Sequence, residues 1–264
     1  MKKNVFTVLL LFLLMGALSA CGLLEEPAAP SATIEAVPLE IEEAEEPVAV
    51  EEPTAAAEEP PVETDAAEEP IEEIEVAEET AASSSTGLVI YEISQGDSEV
   101  RFELDEDLRG NRITVVGTTD QVAGQIALNL GDLPATQVGE IRINARTLAT
   151  DNDFRNRAIQ NEILDTGAYE FISFVPTAVN GLPASAAVGE EISFTIDGNL
   201  TIRDITEPVT FNVTATAVSD TEISGTATAT VMREAYGLTI PEVPNVANVE
   251  EEVELIITFV ANAS

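Results

Sequence analysis

Histidine is absent from all 264 residues, lysine occurs only at positions 2 and 3, and Cys21 is the one cysteine. Past Cys21, acid–base and nucleophilic chemistry would therefore fall to carboxylates and to Ser, Thr or Tyr hydroxyls. His-dependent triads and zinc sites built from His or Cys are excluded, and no disulfide can form within one chain. Paired carboxylates could cleave glycosides, but none of the many acids stands apart from a solvated surface. Asp105-Glu106-Asp107 and Asp151-Asn152-Asp153 offer oxygen ligands of the kind Ca²⁺ takes, without EF-hand spacing. Turn chemistry and helix N-capping explain both clusters about as well. The expectation is a protein that is not an enzyme, with no metal site and no cofactor.

The chain's beginning reads as an address. Lys2 and Lys3 precede an apolar run from Val5 to Leu14, and Leu18-Ser19-Ala20-Cys21 follows, the three-part pattern of a secretory signal over residues 1–20. That tetrapeptide resembles a bacterial lipobox, so Cys21 is the expected lipidation site. An uncleaved helix with a chance cysteine is the plainer alternative, but the run is short against the ~20 residues that span a bilayer. Two or more acyl chains give stable attachment where one is marginal. The expected location is extracytoplasmic, as a membrane-anchored lipoprotein on the cell surface or periplasmic side. In that setting Asn199-Leu200-Thr201 and Asn212-Val213-Thr214 lose their meaning as glycosylation patterns.

Residues 21–86 follow as the lipidated cysteine and a tether. Glu-Glu-Pro recurs at 25–27, 45–47, 51–53, 58–60 and 68–70, and residues 22–86 hold 21 acids without a Lys or Arg. High charge, many prolines and few aromatics leave too little apolar surface to offset ordering entropy, so composition predicts disorder. As an ideal coil the segment would span on the order of 45 Å, which suits a spacer that lifts a domain off a membrane. Residues 87–264 hold 28 acids against nine arginines, a net charge of −19. A field of that sign repels nucleic acid and anionic headgroups. Cation binding and life in concentrated salt are readings of this acidity, and simple solubility is another.

Strand signals dominate residues 87–264. Val100, Phe102 and Leu104 alternate with charged neighbours, as do Ile141, Ile143 and Ala145. Ile196-Asp197-Gly198-Asn199-Leu200-Thr201-Ile202 and Val209-Thr210-Phe211-Asn212-Val213 flank the polar turn at Arg203-Asp204, with Pro208 expected at the start of the second strand, where its missing N–H does least harm. Val175–Val188 reads as a loop or frayed hairpin around Asn180-Gly181. Gly225, Ala227 and Ala229 put small residues on one face of another strand, and residues 254–260 form the last. Thr150 to Leu164 begins with good N-cap residues and suits a short helix.

Five ordered segments together resemble the YceI-like family. They are Tyr91-Glu92-Ile93 leading to Ser98-Glu99-Val100-Arg101-Phe102; Thr150, Asn152 and Arg155 leading to Tyr169, Ile172 and Phe174; the Ile196–Val213 hairpin; Arg233-Glu234-Ala235-Tyr236-Gly237; and the final strand. Departures fall at Asp97 (usually His), Asn156 (Asp), Glu170 (Pro), Asp204 (Gly) and Tyr236 (Phe). The resemblance implies an all-β fold, a lipocalin-like antiparallel barrel of about eight strands with one short helix, holding a polyisoprenoid or similar amphiphilic lipid. An aliphatic tube suits such a guest, since each buried CH₂ contributes about 0.8 kcal/mol. The expected cavity residues are Phe102, Ile143, Phe174, Phe194, Ile196, Phe211, Gly225, Ala227, Ala229, Ile257 and Phe259, each of which ordinary core packing would also explain. The expected partners are an isoprenoid or quinone-like lipid and, through the anchor, a membrane. A non-catalytic acidic β-sandwich displayed for interaction is the alternative.

Overall fold

A computed structural model describes residues 25–31, 33–39 and 87–264. The expected signal segment, Cys21 and residues 40–86 of the expected tether lie outside the described residues. One unit comprises residues 1–41 with 88–264, and a second comprises residues 42–87, of which only Gly87 is described.

The alternating runs form strands β1 (Val89–Ile93), β2 (Glu99–Leu108), β3 (Asn111–Thr119), β4 (Val122–Ala123), β5 (Gln125–Leu128), β6 (Gln137–Val138) and β7 (Ile141–Asn144). Helix α1 (Asp153–Ala158) follows and runs on through a π-turn, Ile159–Ile163. Then come β8 (Phe171–Asn180), β9 (Glu191–Ile202), β10 (Ile205–Ser219), β11 (Glu222–Met232), β12 (Val246–Ala247) and β13 (Glu252–Ala263). From β7 to β11, consecutive strands pair antiparallel, and β11 pairs β13. β13 then pairs β2 through residues 254–258 and β1 through residues 261–263. β3 pairs β2, β5 pairs β1, and β4 returns to β7. Counting β1–β2 as one interrupted strand and β3–β4–β5 as another, eight antiparallel strands close on themselves. Closure distinguishes this from a two-sheet sandwich.

The β9–β10 hairpin turns at Arg203-Asp204 and sets Ile196 opposite Phe211 and Phe194 opposite Val213. β10 begins at Ile205, so Pro208 lies inside it rather than at its start. β11 pairs β10 only from Asn212 onward, so beside Pro208 one flank of β10 has no ladder for a missing N–H to break. The expected loop after Val175 is strand as far as Asn180, with a register shift between Pro176 and Ala178.

The helix start is built as its sequence suggests. The Asn152 side chain accepts from the backbone N–H of Phe154 and Arg155, at 2.9 and 3.2 Å, satisfying donors the helix itself leaves open. Asn156, one of the departures, accepts from the Thr150 N–H and hydroxyl, both at 2.7 Å. A carboxylate would fill the same acceptor role.

Closure has a weak place. β4 and β7 share two register pairs, Val122 with Ile143 and Ala123 with Arg142, supplemented by reciprocal bonds between Thr118 and Ala149 at 2.9 and 3.0 Å. Residues 25–31 and 33–39, which composition assigns to a disordered tether, pack along this side of the barrel. Asn161 donates to the Glu25 carbonyl and Arg146 to the Ala29 carbonyl, at 2.9 and 3.0 Å. Ser31 donates its N–H and hydroxyl to the two oxygens of Glu170, at 2.6 and 2.7 Å. Gln95 donates to the Ile34 carbonyl, and the Leu39 N–H donates to Gln125. Ile34 is 3 % exposed. The segment is a strap running from the π-turn to β5.

Glu170 is its central fastening and stands where the resembled family has proline. Burial pushes its carboxyl up, but the two Ser31 bonds, the Asn144 amide and the Arg146 guanidinium together hold it below the ordinary 4.5. A carboxyl lowered in the native state gives stability that is complete above about pH 4.5 and is lost as the pH falls through the lowered native value. Hydrogen bonds to a charged acceptor contribute about 1.5–3 kcal/mol each. Glu170→Ala is therefore expected to speed amide exchange of residues 31–39 at pH 7 at least about tenfold, since ~1.4 kcal/mol is a factor of ten. Unchanged exchange there would refute the fastening.

Candidate functional site

Among the described residues, inward positions on the strands line a cavity at each end of the barrel, and the two share no lining residue. The narrower chamber has a volume of about 110 Å³. Phe174, Phe194, Ile196, Phe211, Ala227, Ile257 and Phe259 all line it. The wider chamber, about 390 Å³, takes only Phe102 from the expected residues. That volume lies in the ordinary range of small-molecule sites, about 300–1,000 Å³.

Ile143, Gly225 and Ala229 line neither chamber. Ile143 is 5 % exposed and packed into the β4–β7 closure. Gly225 lies beneath the Phe259 ring and beside the Thr214 carbonyl, so its bareness makes room for that ring rather than for a guest. Ala229 falls between Ala227 of the narrow chamber and Val231 of the wide one. At this level the interior narrows to a waist. Phe174 and Phe211 meet edge to face at 4.9 Å, and the Phe174 ring covers Gly198, where a Cβ would overlap it. Leu200 is 2 % exposed beside them. On β8, Ile172 faces the wide chamber and Phe174 the narrow one; on β13, Leu255 and Ile257 divide in the same way.

The wide chamber carries the polar groups. Along β2 the inward stripe Phe102, Leu104, Leu108 is broken by Glu106, 6 % exposed, which Arg155 of α1 meets at 3.0 Å. Asp151 binds the same guanidinium at 2.6 Å. Tyr236 is 1 % exposed and its hydroxyl has no hydrogen-bond partner among the described residues. Burial first, and Glu207 second, push its pKa up to about 12, so it stays a neutral donor. Arg233 of the same motif donates to the Glu250 carbonyl at 2.7 Å, the Leu238 carbonyl at 3.1 Å and the Glu251 carboxylate at 2.7 Å. It thereby ties down the loop that covers this end, while Gly237, with φ of 61°, ends the short 3₁₀ turn before it.

The acidic clusters resolve into structural roles. Asp105 accepts from Thr114 at 2.6 Å, Asp107 from Asn248 at 2.6 Å, and Glu106 turns inward to Arg155. Asn152 caps α1 and Asp151 holds Arg155. Among the described residues no three His, Cys, Asp or Glu side chains gather at metal-binding distance.

Most wide-chamber residues escaped the sequence reading. Leu104, Val253 and Leu255 continue the same alternation as Phe102 and Ile257 and were legible by extension. Glu106 was legible as a charge at an inward position. Phe154, Leu238, Ile240 and Val243 come from the helix and the loop, where no period marks them.

This is a lipocalin-like barrel: closed, antiparallel, apolar inside, with a helix at one end. Residues 91–261 match the family described as YceI-like domain, and the chain belongs to that family. A solved polyisoprenoid binding domain from Saccharophagus degradans, implicated in plant cell wall breakdown, shares 14 % identity and a TM-score of 0.54; the match covers 67 % of this chain and 99 % of that one. BcnA of Burkholderia cenocepacia shares 18 % identity and a TM-score of 0.51, over 64 % of this chain and 99 % of that one. At such identities the likeness is one of fold. No curated protein matches the chain.

Proposed function

We propose that the protein is a non-catalytic extracytoplasmic binding protein, anchored through lipid on Cys21, that holds an isoprenoid-type or quinone-like lipid inside its barrel. The observation that carries this reading is the pair of apolar chambers in line through the barrel. An extended tail fits such a path, and burial contributes about 0.8 kcal/mol per CH₂ without any strong polar contact. The family supports the ligand class, since a relative of the same fold is described as polyisoprenoid binding.

The test is lipid extraction of the purified protein followed by mass spectrometry, and then uptake of prenyl alcohols of graded length. A stoichiometric prenyl lipid or quinone is expected; an empty protein that takes up none of them would sink the proposal. Ala227→Phe should fill the narrow chamber and shorten the longest chain accepted, with the circular dichroism of the barrel unchanged. A folded variant with the parent's chain-length limit would remove the narrow chamber from the binding path.

A further inference from the structure

The strap fixes which end of the barrel meets the anchor. We propose that the α1 end, around the mouth of the wide chamber, is a bilayer-facing surface on which Phe154 enters the lipid. This rests on lipid attachment at Cys21.

Three residues separate Cys21 from Glu25, four chain steps with a reach of at most about 14 Å. The Glu25 carbonyl is bound by Asn161 on the π-turn. Asn161 lies seven residues after Phe154 in the same helical segment, on the order of 10 Å along its axis. A lipid on Cys21 therefore sits beside this end of the barrel. The chain reaches β5 only later, where Leu39 is held by Gln125.

The surface there suits a bilayer. Phe154 is 67 % exposed and is the one aromatic among the large exposed hydrophobics of the described residues. It lines the mouth of the wide chamber with Pro241, Val243 and Pro244, and Val243 is itself 37 % exposed. Arg157, one turn beyond Phe154, and Arg109 on the chamber rim form no ion pair among the described residues, in a domain otherwise rich in acid. Asp153 and Glu162 on the same helical segment, with exposed Glu242 in the mouth loop, outweigh them by one charge, so the face matches zwitterionic rather than anionic headgroups. An exposed aromatic at a cavity mouth held against a membrane gives a tail a path from bilayer to chamber that avoids water.

The chain has no tryptophan, and Cys21 is its single thiol. Phe154→Trp and, at the opposite end, Val188→Trp, a residue 47 % exposed, each create a single reporter. Residues 21–264 of each variant are coupled through Cys21 to a maleimide phospholipid in phosphatidylcholine vesicles with brominated acyl chains. The reporter at 154 should be quenched at least twofold and shift to the blue, while that at 188 keeps its aqueous spectrum. An unquenched reporter at 154, or equal quenching at both positions, overturns the proposal. Adding Asn161→Ala, which removes the tie at Glu25 nearest the anchor, should narrow the difference between the ends. Because coupling is chemical, the result is independent of acylation in the cell. The mass of Cys21 in protein taken from membranes tests that reading separately.

Discussion

Phe174→Ala is expected to cost about 3–5 kcal/mol, the usual penalty for removing a buried phenylalanine, and to join the two chambers into one. The ring is 4 % exposed, packs edge to face on Phe211 at 4.9 Å, and roofs Gly198. Gly198 has no side chain to refill the space, so the cavity stays open and the cost belongs at the upper end of that range. Because the ring stands between Ile172 of the wide chamber and the narrow chamber, its loss should also relax chain-length selection. Longer prenyl alcohols should gain affinity relative to short ones as the stability falls. Urea midpoints measure the first effect and competition between chain lengths the second. A destabilised variant with unchanged length selection would show that the partition lies elsewhere. Phe174→Ala with Gly198→Val should recover part of the stability while closing the passage again, which separates the two effects.

The partition shows where sequence reading reached and where it stopped. The hairpin containing Ile196 and Phe211 was legible because strict alternation across a two-residue turn leaves one register that buries both. Phe174 and Phe259 were legible as inward residues, but their relation to Gly198 and Gly225 was not. A glycine in a strand reads alike whether its bareness admits a ligand or the ring of a neighbouring strand. The strap was opaque for another reason. A single buried residue, Ile34, has no period, and the Glu-Glu-Pro composition argues against order. Its trace was Glu170, a carboxylate where the family has proline, which acquires meaning only beside Ser31. The wide chamber lay half in strands and half in a loop held by Arg233, whose hydrogen bonds depend on chain geometry rather than residue pattern.

Arg155→Ala should be the second severe substitution, at about 3–5 kcal/mol, because it leaves Glu106 charged and unpaired in a buried position. The Arg155 side chain is 17 % exposed and that of Glu106 8 %, so water can do little to compensate. Glu106→Gln should cost less. It leaves Arg155 its 2.6 Å pair with Asp151, whose side chain is 88 % exposed, and keeps an acceptor for the guanidinium. The order of the two variants is thus a test of mechanism: the buried carboxylate is the liability and the arginine its remedy. Replacing both, Glu106→Leu with Arg155→Met, should return most of the stability, as apolar substitutes for buried ion pairs often do. Because both side chains line the wide chamber, that double variant also makes its wall more apolar and should hold a prenyl tail more tightly than the parent. Urea unfolding and tail-binding titrations on the four proteins decide it. If Arg155→Ala unfolds at the parent's urea midpoint, the ion pair does not hold α1 against β2.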